Sequence, residues 1–252
     1  MRTDRVAAAD PSHSRQSVDP VDGDAVAAAR SEVSGTRLRV ALNGGNTLVA
    51  RRLEDGSYDG PGAELVERIA RALDLVPEFL GYEGAAAAIA ADPGDGWHVG
   101  LVAPDPARAG TLVFTPPYMQ LHAALRVAVR AGIDSIADVD RPGVEVASVE
   151  GAAFYGRLRR LLRSARVVGC RTPAAAVAMV LSGEAVGAAG IRGLLETPGD
   201  REVPTMVLAD DFAVMAQAVA VPVRFPALAR VCGLKVARFL AVHPLSGSLD
   251  GD

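Results

Sequence analysis

The sequence predicts an α/β protein made of two units in which strands alternate with helices. Short apolar runs with strand periodicity are followed, again and again, by stretches with an apolar stripe at helical spacing. Near Ser135 the pattern starts over in the same order. A chain of 252 residues with 50% apolar content can also bury one or two such cores. Strands that alternate with helices form mostly parallel sheets covered on both faces.

In the first unit, Leu38, Val40 and Leu42 alternate with Arg39 and Ala41 as a strand, and Asn43-Gly44-Gly45-Asn46 turns the chain. Gly60-Pro61-Gly62 opens a helix with Leu65, Val66, Ile69 and Leu73 on one stripe and Glu67 and Arg71 spaced to pair on the wet side. Strands are expected at residues 76–80, 97–102 and, after Pro116-Pro117-Tyr118, 125–129. The second unit opens with a short helix at Ser135 and a strand at 144–148, and Gly151 begins a helix through Leu162. A strand at 166–168, a helix at 173–181, a strand at 185–189 and a helix from Ile191 follow. Residues 206–208, a strand at 213–221 and a helix from Pro226 to about Val242 close the chain.

Composition removes several functions. With a net charge of -4 and 25 scattered arginines, the chain offers no basic face for nucleic acid. Arg, Asp or Gly interrupts every apolar stretch, so no membrane-spanning helix is expected. Residues 1–36 carry Asp4, Asp10, Asp19, Asp22 and Asp24 and lack the apolar core of an export signal. They read as a disordered leader on a cytoplasmic protein, periplasmic only if the chain starts elsewhere. Cys170 and Cys232 match no metal spacing and read as reduced thiols. His98 interrupts an apolar strand and reads as a satisfied core histidine. No His/Cys/Asp cluster, nucleophile elbow or phosphate loop is present, so no metal, cofactor or catalytic set is expected.

Asp105-Pro106-Ala107-Arg108-Ala109 followed by Phe114-Thr115-Pro116-Pro117-Tyr118 resembles the signature of the family 3, amino-acid-type bacterial solute-binding proteins. The opening LRVALNGGN, the helix after GSYDG, SIADVDRPGVEVA and TPAAAVAMVLSGEAVGAAG resemble other blocks of that family in the same order. The resemblance implies a type 2 periplasmic-binding-protein fold whose chain runs lobe one, lobe two, lobe one, with the ligand between the lobes. Lobe one would comprise residues 37–120 and 212–243, lobe two 121–211, and 244–252 a disordered tail. A small organic acid is the expected partner, bound by a monomer, with an ABC permease or a regulatory protein as a further possible partner.

The resemblance also proposes site residues. Arg108 matches the arginine that holds a ligand carboxylate. Gly151-Ala152 stands where the family has a helix start with hydroxyls, so only backbone donors remain. Ile191 stands where an aspartate often meets a ligand ammonium, and Arg192 beside it either meets a second acid or faces solvent. Asn43 and Asn46 are ligand contacts or turn formers, Tyr82 and Tyr118 are cleft wall or core, and Gln217 faces the cleft or not. The arginines and the missing aspartate imply an acid without a free α-amino group. The alternative reading is a cytosolic dehydratase or lyase of the cyclohexadienyl-dehydratase type, with Glu83 or Glu150 as its acid.

Overall fold

The computed structural model describes residues 20–91, 96–196 and 203–245. The chain begins with α1 (Pro20–Glu32), β1 (Arg37–Asn43), β2 (Arg51–Arg52), β3 (Tyr58–Asp59), α2 (Pro61–Ala72), β4 (Val76–Tyr82), α3 (Ala85–Ala90) and β5 (Val99–Val102). Next come β6 (Leu112–Phe114), β7 (Met119–Ala128), α4 (Ile136–Val139), β8 (Glu145–Val149), α5 (Tyr155–Leu161), β9 (Arg166–Cys170) and α6 (Pro173–Ser182). It ends with β10 (Gly187–Ile191), α7 (Arg192–Leu195), β11 (Thr205–Pro222) and α8 (Pro226–Val242).

The strand order is β4-β1-β5-β11-β7-β10-β8-β9, with β6 added on β11. The two halves repeat one plan. In each, three parallel strands carry an antiparallel fourth, β11 beside β5 and β7 beside β10. β7 and β11 then pair with each other from Met119↔Gln217 to Ala128↔Thr205. One core unites α1, α2 and α8 over β1 and β5, including Leu38, Leu65, Ile69, Val219 and Phe239. A second joins Leu125, Val146, Phe154, Leu158 and Phe212. Leu121 belongs to the first core and Ala123 to the second.

The second crossing falls later than expected. Phe212 and Ala213 join the second core, Met215 touches both and Val219 joins the first. The 212 boundary therefore moves into the 214–217 stretch. The register of β11 against β7 shifts between Val207 and Asp211 and again between Asp211 and Ala213. Such an irregularity lets a long strand bend between two sheets, and the expected split into residues 206–208 and 213–221 corresponds to this one bent strand.

The leader expected through Thr36 is corrected from Pro20 onward. Ala25, Ala29 and Val33, spaced four apart, are buried in the first core, and α1 lies along α8. Both carboxylate oxygens of Glu32 accept backbone N–H groups at the start of α8, Ala227 at 3.0 Å and Leu228 at 2.8 Å. A carboxylate at that position satisfies otherwise unpaired donors and complements the helix dipole. Residues 1–19 and 246–252, parts of the expected leader and tail, lie outside the described residues.

Two local readings also change. Glu64 and Arg68, at 2.5 Å, form the ion pair that Glu67 and Arg71 were expected to make. The start of α2 is fixed by glycine, because a Cβ at Gly60, whose φ is 116°, would stand 2.9 Å from Val49 O. Gly62 N donates to the same carbonyl at 2.9 Å, tying the helix to the loop after β1.

Candidate functional site

Strand direction decides which ends of the two lobes face each other. β11 enters lobe one next to the Val102 end of β5, since Ala218 pairs with Val102 and Ala220 with Gly100. The carboxyl ends of β5 and of the parallel β1 and β4 therefore point toward lobe two. In lobe two, Ile191 pairs with Ala123 at the crossing and Gly187 with the remote Val127, so the carboxyl ends of β10 and β8 point back. Ligands of open α/β sheets bind outside the carboxyl ends of strands. The candidate site is the cleft between these two sets of ends.

Lobe one contributes the loop after β1, with Asn43 and Asn46, then Tyr82 at the end of β4, and the turn after β5 with Arg108. Asn43 is paired in register with Tyr82, and Gly44 N donates to Tyr82 O at 3.0 Å. Asn43 Oδ1 accepts from Gly45 N at 3.1 Å, the turn-forming role. Asn46 is buried, and its Oδ1 has no hydrogen-bond partner among the described residues. Arg108 ends a 3-10 turn over Pro106–Arg108 that Asp105 caps by accepting from Ala107 N at 3.0 Å. Its guanidinium lies 3.6 Å from Asp105 and the side chain is 45% exposed, so it is held loosely and keeps donors available to a ligand.

Lobe two contributes the turn after β8 and the start of α7. The expected helix at Gly151 is corrected: Gly151 has φ 77°, and α5 starts only at Tyr155. Ala152 N is taken by Val149 O at 3.2 Å, so this turn does not offer the expected row of backbone donors. Arg192 is corrected as well. Its Nε and one Nη reach Asp211 Oδ1 at 2.8 and 2.6 Å, and the same Nη donates to Leu208 O and Ala209 O at 3.0 and 2.9 Å. That guanidinium holds β11 instead of facing a ligand acid. Asp211 Oδ2 also lies 2.8 Å from His122 Nδ1, so this carboxylate is engaged on both oxygens.

The lobes touch at an apolar point. A Cβ on Gly193 would meet Leu48 Cδ1 at 3.1 Å, and Ile191 packs against both cores. The contact escapes sequence reading because neither Leu48 nor Gly193 belongs to a local pattern that points to it.

Other candidates resolve differently. Tyr118 is core: it is buried edge-on against Phe239, and burial pushes its hydroxyl pKa up. Gln217 is buried, and its Nε2 donates to Ala216 O at 3.2 Å. His98 Nδ1 accepts from Arg39 N at 3.0 Å; burial, with Arg39 and Arg224 nearby, lowers its pKa to about 4. Cys170 and Cys232 are free thiols, in separate lobes.

Two grooves lie elsewhere. One of about 830 Å³ runs between α2, α8 and the start of β7, and one of about 630 Å³ lies at the far end of lobe one beside His98. Neither is lined by Arg108, Asn46 or Gly193. Cavity size and strand direction thus point to different places, and strand direction decides because the carboxyl ends of the parallel strands of both lobes converge on the cleft.

Compared by sequence, the chain matches no family model and no curated protein. Compared by structure, it is similar to an ancestral amino-acid-binding protein described as a precursor of cyclohexadienyl dehydratase, with TM-score 0.68, 20% identity, 81% of this chain and 90% of that one. It is also similar to an ABC-transporter binding component from Wolinella succinogenes in complex with lysine, with TM-score 0.72, 18% identity, 83% of this chain and 92% of that one. A third likeness is to the GluR0 ligand-binding core in complex with L-glutamate, with TM-score 0.69, 16% identity, 84% of this chain and 95% of that one. The fold is that of the type 2 periplasmic binding proteins.

Proposed function

We propose that this chain is a solute-binding protein whose lobes close around a small molecule bearing a carboxylate, with Arg108 as the anchor. The observation that carries the reading is the half-exposed Arg108 side chain in the turn that follows β5, with only a 3.6 Å contact to Asp105. A planar, two-pronged cation suits a carboxylate. The fold supports the binding role, since structural relatives are amino-acid-binding proteins and one is an ABC-transporter component. Lysine and L-glutamate, held by two of them, share an α-carboxylate.

Closure follows when a ligand binds the closed state better than the open one. A permease or a regulatory protein would read the closed state. Two of the notable departures bear on the ligand: Arg192 is engaged within lobe two, so a second acidic group has no partner there, and Ile191 supplies no carboxylate for an ammonium. A monoacid fits better than a diacid. For the dehydratase reading, the Glu150 side chain lies over Gly169 on β9 and Glu83 is exposed, so the two candidate acids are not brought together among the described residues.

Calorimetry with a panel of short mono- and dicarboxylic acids tests this reading. Arg108→Ala removes a charge-assisted contact of about 1.5–3 kcal/mol, a fall of roughly ten- to hundredfold in affinity. An acid that binds both proteins equally would remove Arg108 from the site.

A further inference from the structure

We propose that the cleft selects a hydroxy acid, and that the Asn46 side chain, by accepting an uncharged O–H, is the group that makes the selection. The inference rests on the carboxylate reading above and adds the chemistry at the other end of the ligand.

Asn46 lies in the loop between Asn43, the last residue of β1, and Leu48, which meets Gly193 across the cleft. β1 is the immediate neighbour of β5, whose following turn carries Arg108. Asn46 is 92% buried by its 8% exposure, yet its Oδ1 accepts no hydrogen bond among the described residues. Buried acceptors are nearly always paired, because desolvating one without a donor is costly. The position thus calls for a donor supplied from the cleft.

That donor is uncharged. A desolvated ammonium needs an anionic partner, and the neutral amide of Asn46 is not one. Asp211 is bound by Arg192 and His122, Asp105 caps its turn beside Arg108, and Glu150 lies against Gly169. Glu83 is exposed. Leu48 and Ile191 make the interlobe contact apolar. A hydroxyl brings its hydrogen to Asn46 without carrying a charge into this surface.

The test compares matched acids on two skeletons: 2-hydroxy-4-methylpentanoate, 4-methylpentanoate and leucine, then lactate, propionate and alanine. In the wild-type protein the hydroxy acid of the better-binding set should bind about tenfold tighter than its deoxy analogue, the worth of one neutral hydrogen bond. Asn46→Ala should erase that difference while leaving binding dependent on Arg108. The backbone of Asn46 donates to Asn43 O and accepts from Val49 N, bonds that alanine keeps, so this variant should fold. Asn46→Asp should shift preference toward the amino acid. Equal binding of hydroxy and deoxy acids, or a difference that survives Asn46→Ala, overturns the inference and leaves the carboxylate reading intact. Tighter binding of the amino acid to the wild type overturns it too. Failure of every acid to bind overturns both.

Discussion

Arg192 and Asp211 form a two-pronged ion pair, with Nε and Nη of the arginine both reaching Oδ1, at 2.8 and 2.6 Å. The pair fastens α7 to the irregular part of β11, and Asp211 continues it to His122 on β7. Its role is therefore to set the hinge, not to meet a ligand. Arg192→Ala should lower stability by about 1–3 kcal/mol, a melting temperature several degrees lower for a chain of this size. Carboxylate affinity should change less than threefold. Thermal melts and calorimetry on one preparation check this; a tenfold loss of affinity at unchanged stability would return Arg192 to the site.

Glu32 gives the second prediction. Glu32→Ala leaves the Ala227 and Leu228 N–H groups without their carboxylate, a loss of about 0.5–2 kcal/mol by analogy with helix caps. Removing residues 1–34 also uncovers the α8 face that Ala25, Ala29 and Val33 bury, and should cost more. Melting curves should rank wild type above Glu32→Ala above the truncation. A truncated chain as stable as the wild type would show that α1 is dispensable.

His98 predicts a pH dependence. Its pKa is about 4 in the fold against an ordinary value of 6.5, so between those values the unfolded chain binds more protons than the native one. Stability then rises with pH through this window and is lost as pH falls from 6.5 toward 4. His98→Asn keeps an acceptor near the place of Nδ1 and removes the titration. The melting temperature of the wild type relative to this variant should fall as pH drops from 7 to 4.5; a constant difference would contradict the assignment.

Much of the fold was legible because its signals are local. The stripe of Leu65, Val66 and Ile69 is buried as its spacing implies, and Asp105 caps the turn that ends in Arg108. The α1 helix was not legible, since its buried face is two alanines and a valine, too weakly apolar to stand out from a polar leader. The orientation of the candidate side chains was not legible. Arg108 and Arg192 read alike as arginines near glycine or proline, yet one is half-exposed and the other is held by Asp211 and two carbonyls. Which donors remain free depends on contacts 16 to 19 residues away, and no local pattern carries that.

The central claim is closure of the two lobes on a carboxylate held by Arg108, and an interlobe distance measured with and without ligand tests it most directly. Spin labels at Val76 in lobe one and Leu161 in lobe two, both exposed, report the opening angle. Cys170→Ser removes the partly exposed thiol, and Cys232 is buried. With the tightest acid of the panel, pulsed electron resonance should give one narrow, shorter distance, and Arg108→Ala should need roughly ten to a hundred times more acid to reach it. A distance distribution unchanged at saturating, calorimetrically confirmed ligand would contradict the account.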